Sequence, residues 1–235
     1  MNIVRKNHIS LFWIAPWLLS IFFVIRSYKF YMMGQEIPLY DLYEMMFEEI
    51  FLIGFMIPIY ILLILKSQKK YMSYFMVLRA KNRKQWGQKI FEEVLKNSIL
   101  FIFIIQVPTY GMIVFMSKST TDLIYGLLSL IVYILYFYFI GILSIVIRIK
   151  MKSDIVPIIS MICVSFLPHI LRALFPQYGI KQLPEILNSY YFIGENGYYI
   201  LGHQLVIIGG IFFLFVVRKL VECWMKKIDL LWRAV

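Results

Sequence analysis

Residues that could carry chemistry are few in this chain of 235 residues, and their spacing fits no familiar catalytic or metal site. The three histidines, His8, His169 and His203, are scattered, and none pairs with Cys, Asp or Glu at the spacing of zinc ligands. None of the twelve glycines is followed by lysine, so a Gly-Lys phosphate-binding loop is absent. The two Glu-Glu pairs match no membrane-protease motif. We therefore predict no catalytic residue, no cofactor and no metal in this chain.

A few polar residues lie inside or at the end of long apolar stretches. Gln106 lies mid-way in one stretch, two residues before Pro108, whereas His169 and Arg172 lie near the end of another. Polar groups at such positions usually face the interior of a helix bundle and mark a functional pathway. Alternatively, His169 and Arg172 extend their polar tips to a membrane interface. Gln106, His169 and Arg172 are thus candidates for a substrate pathway.

The most particular local pattern is a basic segment that contains one tryptophan. It reads Arg79-Ala-Lys-Asn82-Arg83-Lys-Gln-Trp86-Gly-Gln-Lys89. Positive charge alone is common in cytoplasmic loops, but Trp and Arg together are enriched where proteins anchor to partners. The pattern predicts a short helix lying across the cytoplasmic surface, with Trp86 as an anchor in a partner or in the membrane interface.

Long apolar helices have to position these residues. The chain is 61% hydrophobic with a mean hydropathy of +0.77, whereas soluble domains are about 45–50% apolar. The excess falls in blocks of the length that an α-helix needs to cross a hydrocarbon core of about 30 Å. We expect an all-α membrane protein, a single domain over residues 1–235 with six transmembrane helices. The predicted spans are about 9–25, 50–65, 98–116, 123–147, 155–171 and 199–217.

The distribution of basic residues orients these spans. With both termini in the cytoplasm, 19 of the 24 lysines and arginines fall on the cytoplasmic side and five outside. This bias matches the excess of Lys and Arg in short cytoplasmic loops. The net charge of +11 therefore indicates anionic membrane lipids as partners and requires no nucleic acid.

The connecting segments carry further patterns. Residues 66–97 form a cytoplasmic segment. Residues 39–49 predict an acidic amphipathic helix on the outer side of the membrane. Its carboxylates either form a solvated helix face or line an entrance that attracts cationic peptides. Residues 174–198 are aromatic and broken by Pro and Gly, which suits a re-entrant element. Residues 218–235 predict a basic amphipathic helix at the inner surface.

This layout, with the basic Trp-containing segment between spans two and three, resembles the permease subunits of ABC-2 type (type V) exporters. It is most similar to the small permeases of Gram-positive bacteria that export lantibiotics or other membrane-active peptides, or give immunity to them. The resemblance extends over the whole chain in the order of its predicted spans and connecting segments. Its most specific part is residues 78–86, which are followed by a helix.

The resemblance implies a multi-pass protein of the bacterial cytoplasmic membrane that does no chemistry itself. Two copies, or two related permeases, pair and bind a separate cytosolic ATPase through the segment between spans two and three. Arg79, Asn82, Arg83 and Trp86 would then contact that ATPase, and residues 174–198 would gate the exit. The second hypothesis is a non-transporting immunity or sensory protein that binds a peptide. A membrane enzyme ranks below both, and peptide, drug and lipid remain open as cargo.

Overall fold

The computed structural model describes residues 13–32, 51–69, 83–116, 120–174 and 198–227, and these ranges contain helices and no strand. The prediction of an all-α protein is therefore confirmed for the described residues. The helices are α1 (Ile14–Met32), α2 (Ile57–Gln68), α3 (Arg83–Met116), α4 (Thr120–Met151), α5 (Val156–Leu174) and α6 (Tyr198–Lys227). A π-helical turn, Leu52–Met56, leads directly into α2.

Each predicted apolar block overlaps one of the six helices, but the structure does not establish six membrane crossings. Among the described residues, one helical stretch, Ser129–Met151 in α4, is long and apolar enough to cross a membrane, and half of it is buried in the bundle. Leu52–Gln68 and Val156–Leu167 are apolar but shorter. The other predicted spans remain predictions.

The basic segment differs from its predicted form. Instead of a separate short helix on the surface, residues from Arg83 onward belong to α3, which continues unbroken to Met116. A buried stripe at helical spacing explains this continuity, because it runs from the charged part of the helix into the apolar part. Its members are Trp86, Ile90, Val94, Ser98, Phe101 and Ile105.

Helix α4 lies at the centre of the bundle, in contact with α2, α3, α5 and α6. Three rings fill the space between α2, α3 and α4. The ring centroids of Tyr60, Phe101 and Phe137 lie 5.0 to 5.2 Å apart. Together with Ser98 and Gly141, these three residues form what we call the aromatic centre.

Phe51, the residue before the π-helical turn, packs on α1 through a second aromatic group. Phe51 contacts the rings of Phe22 and Phe23, and the guanidinium of Arg26 lies 5.3 Å from the centroid of the Phe51 ring. The end of α2, by contrast, meets the beginning of α3 and the end of α4. Since Tyr60 meets Ser98 while Gln68 meets Ile90, α3 runs antiparallel to α2.

Large apolar side chains are exposed on the outer faces of the bundle, most densely on α1, α5 and α6. They include Ile14, Trp17, Leu18, Ile21, Phe22 and Ile25 on α1, Ile159, Val164, Phe166, Leu167 and Ile170 on α5, and Ile208, Ile211, Phe212, Phe213, Phe215 and Leu220 on α6. Soluble proteins rarely expose apolar surface of this extent unless something covers it.

Candidate functional site

The aromatic centre holds three helices at close distance. The hydroxyl groups of Tyr60 and Ser98 lie 2.6 Å apart, and the Ser98 hydroxyl donates to the carbonyl of Val94 at 2.8 Å. A Cβ atom at Gly141 would lie 2.5 Å from Val94 Cγ1 and 2.6 Å from the Tyr60 hydroxyl oxygen. Only glycine therefore lets α4 approach α2 and α3 this closely.

Arg148, near the end of α4, ties that helix to the end of α2. Its NH1 group donates to the carbonyl of Leu65 at 2.9 Å, and its NH2 group lies 2.7 Å from Asp154 Oδ1. The Leu65 carbonyl is one of the last four of α2, which have no i+4 donor within the helix. The next turn tightens, since Lys69 N–H donates to the carbonyl of Lys66 at 3.2 Å. A buried cation at a helix C-terminus is electrostatically favoured.

The same end of α2 is tied to α3 by polar side chains. Gln68 Nε2 donates to the carbonyl of Ile90 at 3.4 Å, and Asn97 Nδ2 donates to Ser67 Oγ at 3.0 Å. Both amides are buried. The charged half of α3 is thus fixed to α2 by two hydrogen bonds.

Helix α6 covers α3 from the other side. The Arg218 guanidinium lies 5.7 Å from the centroid of the Phe91 ring, and its Nε donates to Glu222 Oε1 at 3.1 Å. Lys219 Nζ lies 3.8 Å from the second oxygen of Glu222. We call this junction of α2, α3, α4, α5 and α6 the basic end of the bundle, comprising residues 65–69, 85–97, 148–156 and 218–222.

The exposed side chains on the outward face of α3 change from charged to apolar along the helix. The residues exposed on this face at helical spacing are Gln85, Lys89, Glu92, Lys96, Ile99, Phe103 and Val107. At these seven positions the side chains are polar or charged as far as Lys96 and apolar from Ile99 to Val107. Leu95, at the edge of this face, is also exposed. The other helices carry exposed lysines at the same end, namely Lys69 on α2, Lys150 on α4, Lys152 after α4 and Lys219 on α6.

The structure describes only some of the residues that are predicted to contact an ATPase. Arg79 and Asn82 lie outside the described residues, and Arg83 begins α3 with a side chain that is also outside them. Trp86 is 4% exposed and belongs to the hydrophobic core. It therefore anchors the first turn of α3 to its own bundle in this structure rather than presenting an indole to a partner.

Of the predicted pathway residues, the structure gives side-chain geometry for Gln106 alone. This side chain is 1% exposed, and neither its amide nitrogen nor its amide oxygen has a hydrogen-bond partner within the described part of the chain. His169 and Arg172 lie in α5, but their side chains are outside the described residues.

Sequence reasoning missed the residues that join the basic end. Arg148 contributes to the basic excess that orients the spans and Asp154 only to the net charge. An arginine and an aspartate six residues apart at the end of the longest apolar block were nevertheless a usable signal. Tyr60 and Gly141 gave no signal, because an apolar helix can face any neighbour. In the described residues, no group of three His, Cys, Asp or Glu side chains could hold a metal ion.

Comparisons with known proteins identify no relative of this chain. No protein-family model matches it, and neither the curated proteins nor the solved structures contain a significant match.

Proposed function

We propose that this chain is the transmembrane permease subunit of an ABC exporter, which moves its cargo outward with ATP hydrolysed by a separate cytosolic ATPase. In this proposal six helices cross the bacterial cytoplasmic membrane with both termini inside. The basic end then lies in the cytoplasm, where a motor protein can reach it.

The main support for the proposal is the change from charged to apolar side chains along the outward face of α3. At about 1.5 Å per residue, the part of α3 from Ile99 to Met116, whose sequence is largely apolar, is about 26 Å long. That length approaches the hydrocarbon thickness of about 30 Å. The charged part from Gln85 to Lys96 extends about 17 Å further, so it would project into water at the inner surface.

The distribution of polar and apolar groups supports a membrane location. Large apolar side chains face outward on α1, α5 and α6, whereas several polar side chains are buried between the helices. The buried polar group comprises Ser20, Ser27, Gln68, Asn97, Ser98, Gln106, Ser129, Ser144, Arg148 and Glu222. In lipid, polar side chains avoid the hydrocarbon and face the bundle interior.

The continuity of α3 supports a mechanical role. A motor that contacts the outward residues of its first turns would act on a helix whose other end reaches Gln106 in the bundle interior. Arg79, Asn82 and Arg83 precede or begin this helix, and Lys89 and Glu92 are exposed on it. Hydrogen bonds join the charged half of α3 to α2, and α6 packs against it, so a displacement of this half would change its contacts with both helices.

Gln106, His169 and Arg172 are proposed to line the route of the cargo. Gln106 has no hydrogen-bond partner among the described residues, and leaving a buried amide unpaired costs about 1–3 kcal/mol. We infer that another state of the bundle gives it a partner. A polar, peptide-like cargo could supply one, because a peptide group offers both a donor and an acceptor. A second copy of the chain, or a related permease, completes the transporter.

Site-specific photo-crosslinking in the membranes of the producing cell tests the motor contact. A photoreactive residue at Lys89 is expected to capture a cytosolic protein that carries a phosphate-binding loop. The same residue at Phe212, which is exposed on the apolar face of α6, is the matched control and should capture none. Equal capture at both positions, or none at Lys89, contradicts the proposal.

ATP hydrolysis by the purified complex gives a second, functional measurement. Replacing both Arg83 and Lys89 by Ala should lower the stimulated rate, whereas the exposed apolar pair Ile211→Ala and Phe212→Ala should leave it unchanged. Trp86 is not replaced, because deleting a buried tryptophan side chain costs about 3–5 kcal/mol of stability. A lower ATPase rate could then result from unfolding instead of from a lost contact with the ATPase.

A further inference from the structure

The π-helical turn Leu52–Met56 departs from the regular hydrogen bonding of the helix that it joins to α2. The N–H group of Ile57 donates to the carbonyl of Leu52, five residues back, whereas in an α-helix it would donate to the carbonyl four residues back. Phe51 and Ile57, on either side of the turn, both have right-handed helical backbone angles. The turn therefore holds one residue more than an α-helical turn, and turns of this kind are frequent at functional sites.

Pro58 gives a physical reason for the π-helical turn. Because the turn leads directly into α2, Pro58 lies in the interior of a continuous helix. A proline there has no N–H group for the carbonyl of Gly54, four residues back, and its ring clashes with that carbonyl in an α-helix. The additional residue separates the two groups. A Cβ atom at Gly54 would meet no atom within 4 Å, so the backbone has room to change its path at this point.

The hydrogen-bonding register of the turn decides which residue lies against α1. In the observed π register, Phe51 contacts Phe22 and Phe23 of α1, with ring centroids 5.5 and 5.7 Å apart. In an α-helix continuous with α2, the chain before the turn would be rotated by about 100°, the angle of one residue, and Leu52 would take the place of Phe51. Both side chains are large and apolar, so either register covers the rings of α1.

We propose that the π-helical turn is a register switch between α1 and the chain entering α2, with Pro58 favouring the π register and the α register as the second state. Rewinding shifts the contact with α1 by one residue, about 100° around the helix and about 1.5 Å along it. Nothing has to change beyond Ile57, so Tyr60 keeps its place in the aromatic centre. The use of this switch in transport rests on the proposed function, whereas the switch itself does not.

Crosslinking of paired cysteines in the full chain, reconstituted into bilayers, reports the register. The parent chain carries serine in place of both native cysteines, Phe22→Cys, and a second cysteine as either Phe51→Cys or Leu52→Cys. A short bifunctional thiol reagent should crosslink the pair with Phe51→Cys many-fold faster than the pair with Leu52→Cys. Pro58→Ala should reverse this order, because alanine supplies the missing N–H group and removes the clash.

Two further variants separate the switch from an effect on folding. Deletion of Gly54 in the Pro58→Ala chain removes the additional residue, so an α-helix should again place Phe51→Cys at α1. Pro157→Ala is the matched control, because Pro157 lies in the first turn of α5, where proline is tolerated, and it should leave the order as in the parent. Pro58→Ala should not lower the melting temperature, since alanine is the better helix former. An unchanged order in Pro58→Ala, or a lower melting temperature, overturns the switch.

A separate arm tests whether transport uses the switch. A reducible crosslink between Phe22→Cys and Phe51→Cys fixes the π register, so it should lower the rate of ATP hydrolysis by the purified complex, and reductant should restore that rate. An unchanged rate overturns the role in transport. If the complex hydrolyses no ATP before crosslinking, the proposed function is wrong, and the order of crosslinking still decides whether the switch exists.

Discussion

The aromatic centre and the basic end join the same three helices, α2, α3 and α4, by different means. In the centre, the rings of Tyr60, Phe101 and Phe137 fill the space, and Gly141 lets the helices approach closely. At the basic end, Arg148 reaches a helix carbonyl and a partly exposed carboxylate. Close packing has one good arrangement, whereas contacts between charged groups near water weaken with salt and distance.

The difference indicates which region can move. A motor that acts on the charged half of α3 would rearrange polar contacts at the basic end at modest cost, while the aromatic centre keeps the helices in register. The aromatic centre would then keep its packing, while the helices move relative to one another at the basic end. The following substitutions test this division, beginning with the largest expected effect.

Phe101→Ala should be the most destabilising of these changes. It removes a fully buried ring that contacts two others, so we expect the free energy of unfolding to fall by about 3–5 kcal/mol. Titration with sodium dodecyl sulfate in mixed micelles, followed by circular dichroism, measures it. The control is Phe103→Ala on the exposed face of the same helix, and equal losses for both would show that the aromatic centre is not the packed core.

Arg148→Ala should cost less, about 2–3 kcal/mol, because it removes charge-assisted hydrogen bonds while Asp154 keeps access to water. Arg148→Lys keeps the charge but loses the forked geometry that reaches both acceptors, so it should recover only part of the stability. The same denaturation assay at low and high salt separates the two regions. If Arg148→Ala lowered the free energy of unfolding as much as Phe101→Ala, the helix contacts at the basic end would not be weaker than those in the aromatic centre.

Gly141→Ala should lower stability by about 1–2 kcal/mol, because the added methyl group meets Val94 and Tyr60 inside the centre. Gly209→Ala is the matched control, since a Cβ atom there meets no atom within 4 Å. The control should be neutral or stabilising, because alanine favours helix by about 0.5–1 kcal/mol over glycine. A neutral Gly141→Ala variant would mean that α4 lies further from α2 and α3.

Lys69→Ala should have the smallest effect, less than about 0.5 kcal/mol, because both partners of the Lys69–Asp154 pair are largely exposed. Any effect should vanish at high salt. A loss comparable to that of Arg148→Ala would mean that Lys69 contributes as much as Arg148 to holding Asp154 at the basic end.

Much of the fold could be predicted from the sequence. Continuous apolar blocks mark the helices, because a long apolar run satisfies its backbone only as a helix when no other strand is available to pair with it. The prediction did not find that α3 runs from Arg83 without a break. The charged residues of that segment obscure the buried stripe, in which Trp86, Ile90 and Val94 recur at helical spacing.

The junctions between helices could not be predicted, for a physical reason. The bond from Arg148 to the Leu65 carbonyl joins residues that are 83 positions apart, and it forms only once α2 and α4 are packed side by side. The same holds for Gly141, whose neighbours belong to two other helices. Gln106 was identified as a polar residue within an apolar block, but its lack of a partner among the described residues depends on the packed bundle.

The central claim is that the basic end faces the cytoplasm and that α3 enters the membrane between Lys96 and Ile99. Single cysteines at Lys89 and at Phe103, placed in a chain whose Cys163 and Cys223 are replaced by serine, test it with a membrane-impermeant maleimide. In sealed vesicles of known orientation, we predict labelling of Lys89→Cys from the cytoplasmic side alone and none of Phe103→Cys from either side. Labelling of Lys89→Cys from outside, or free labelling of Phe103→Cys, would contradict the account.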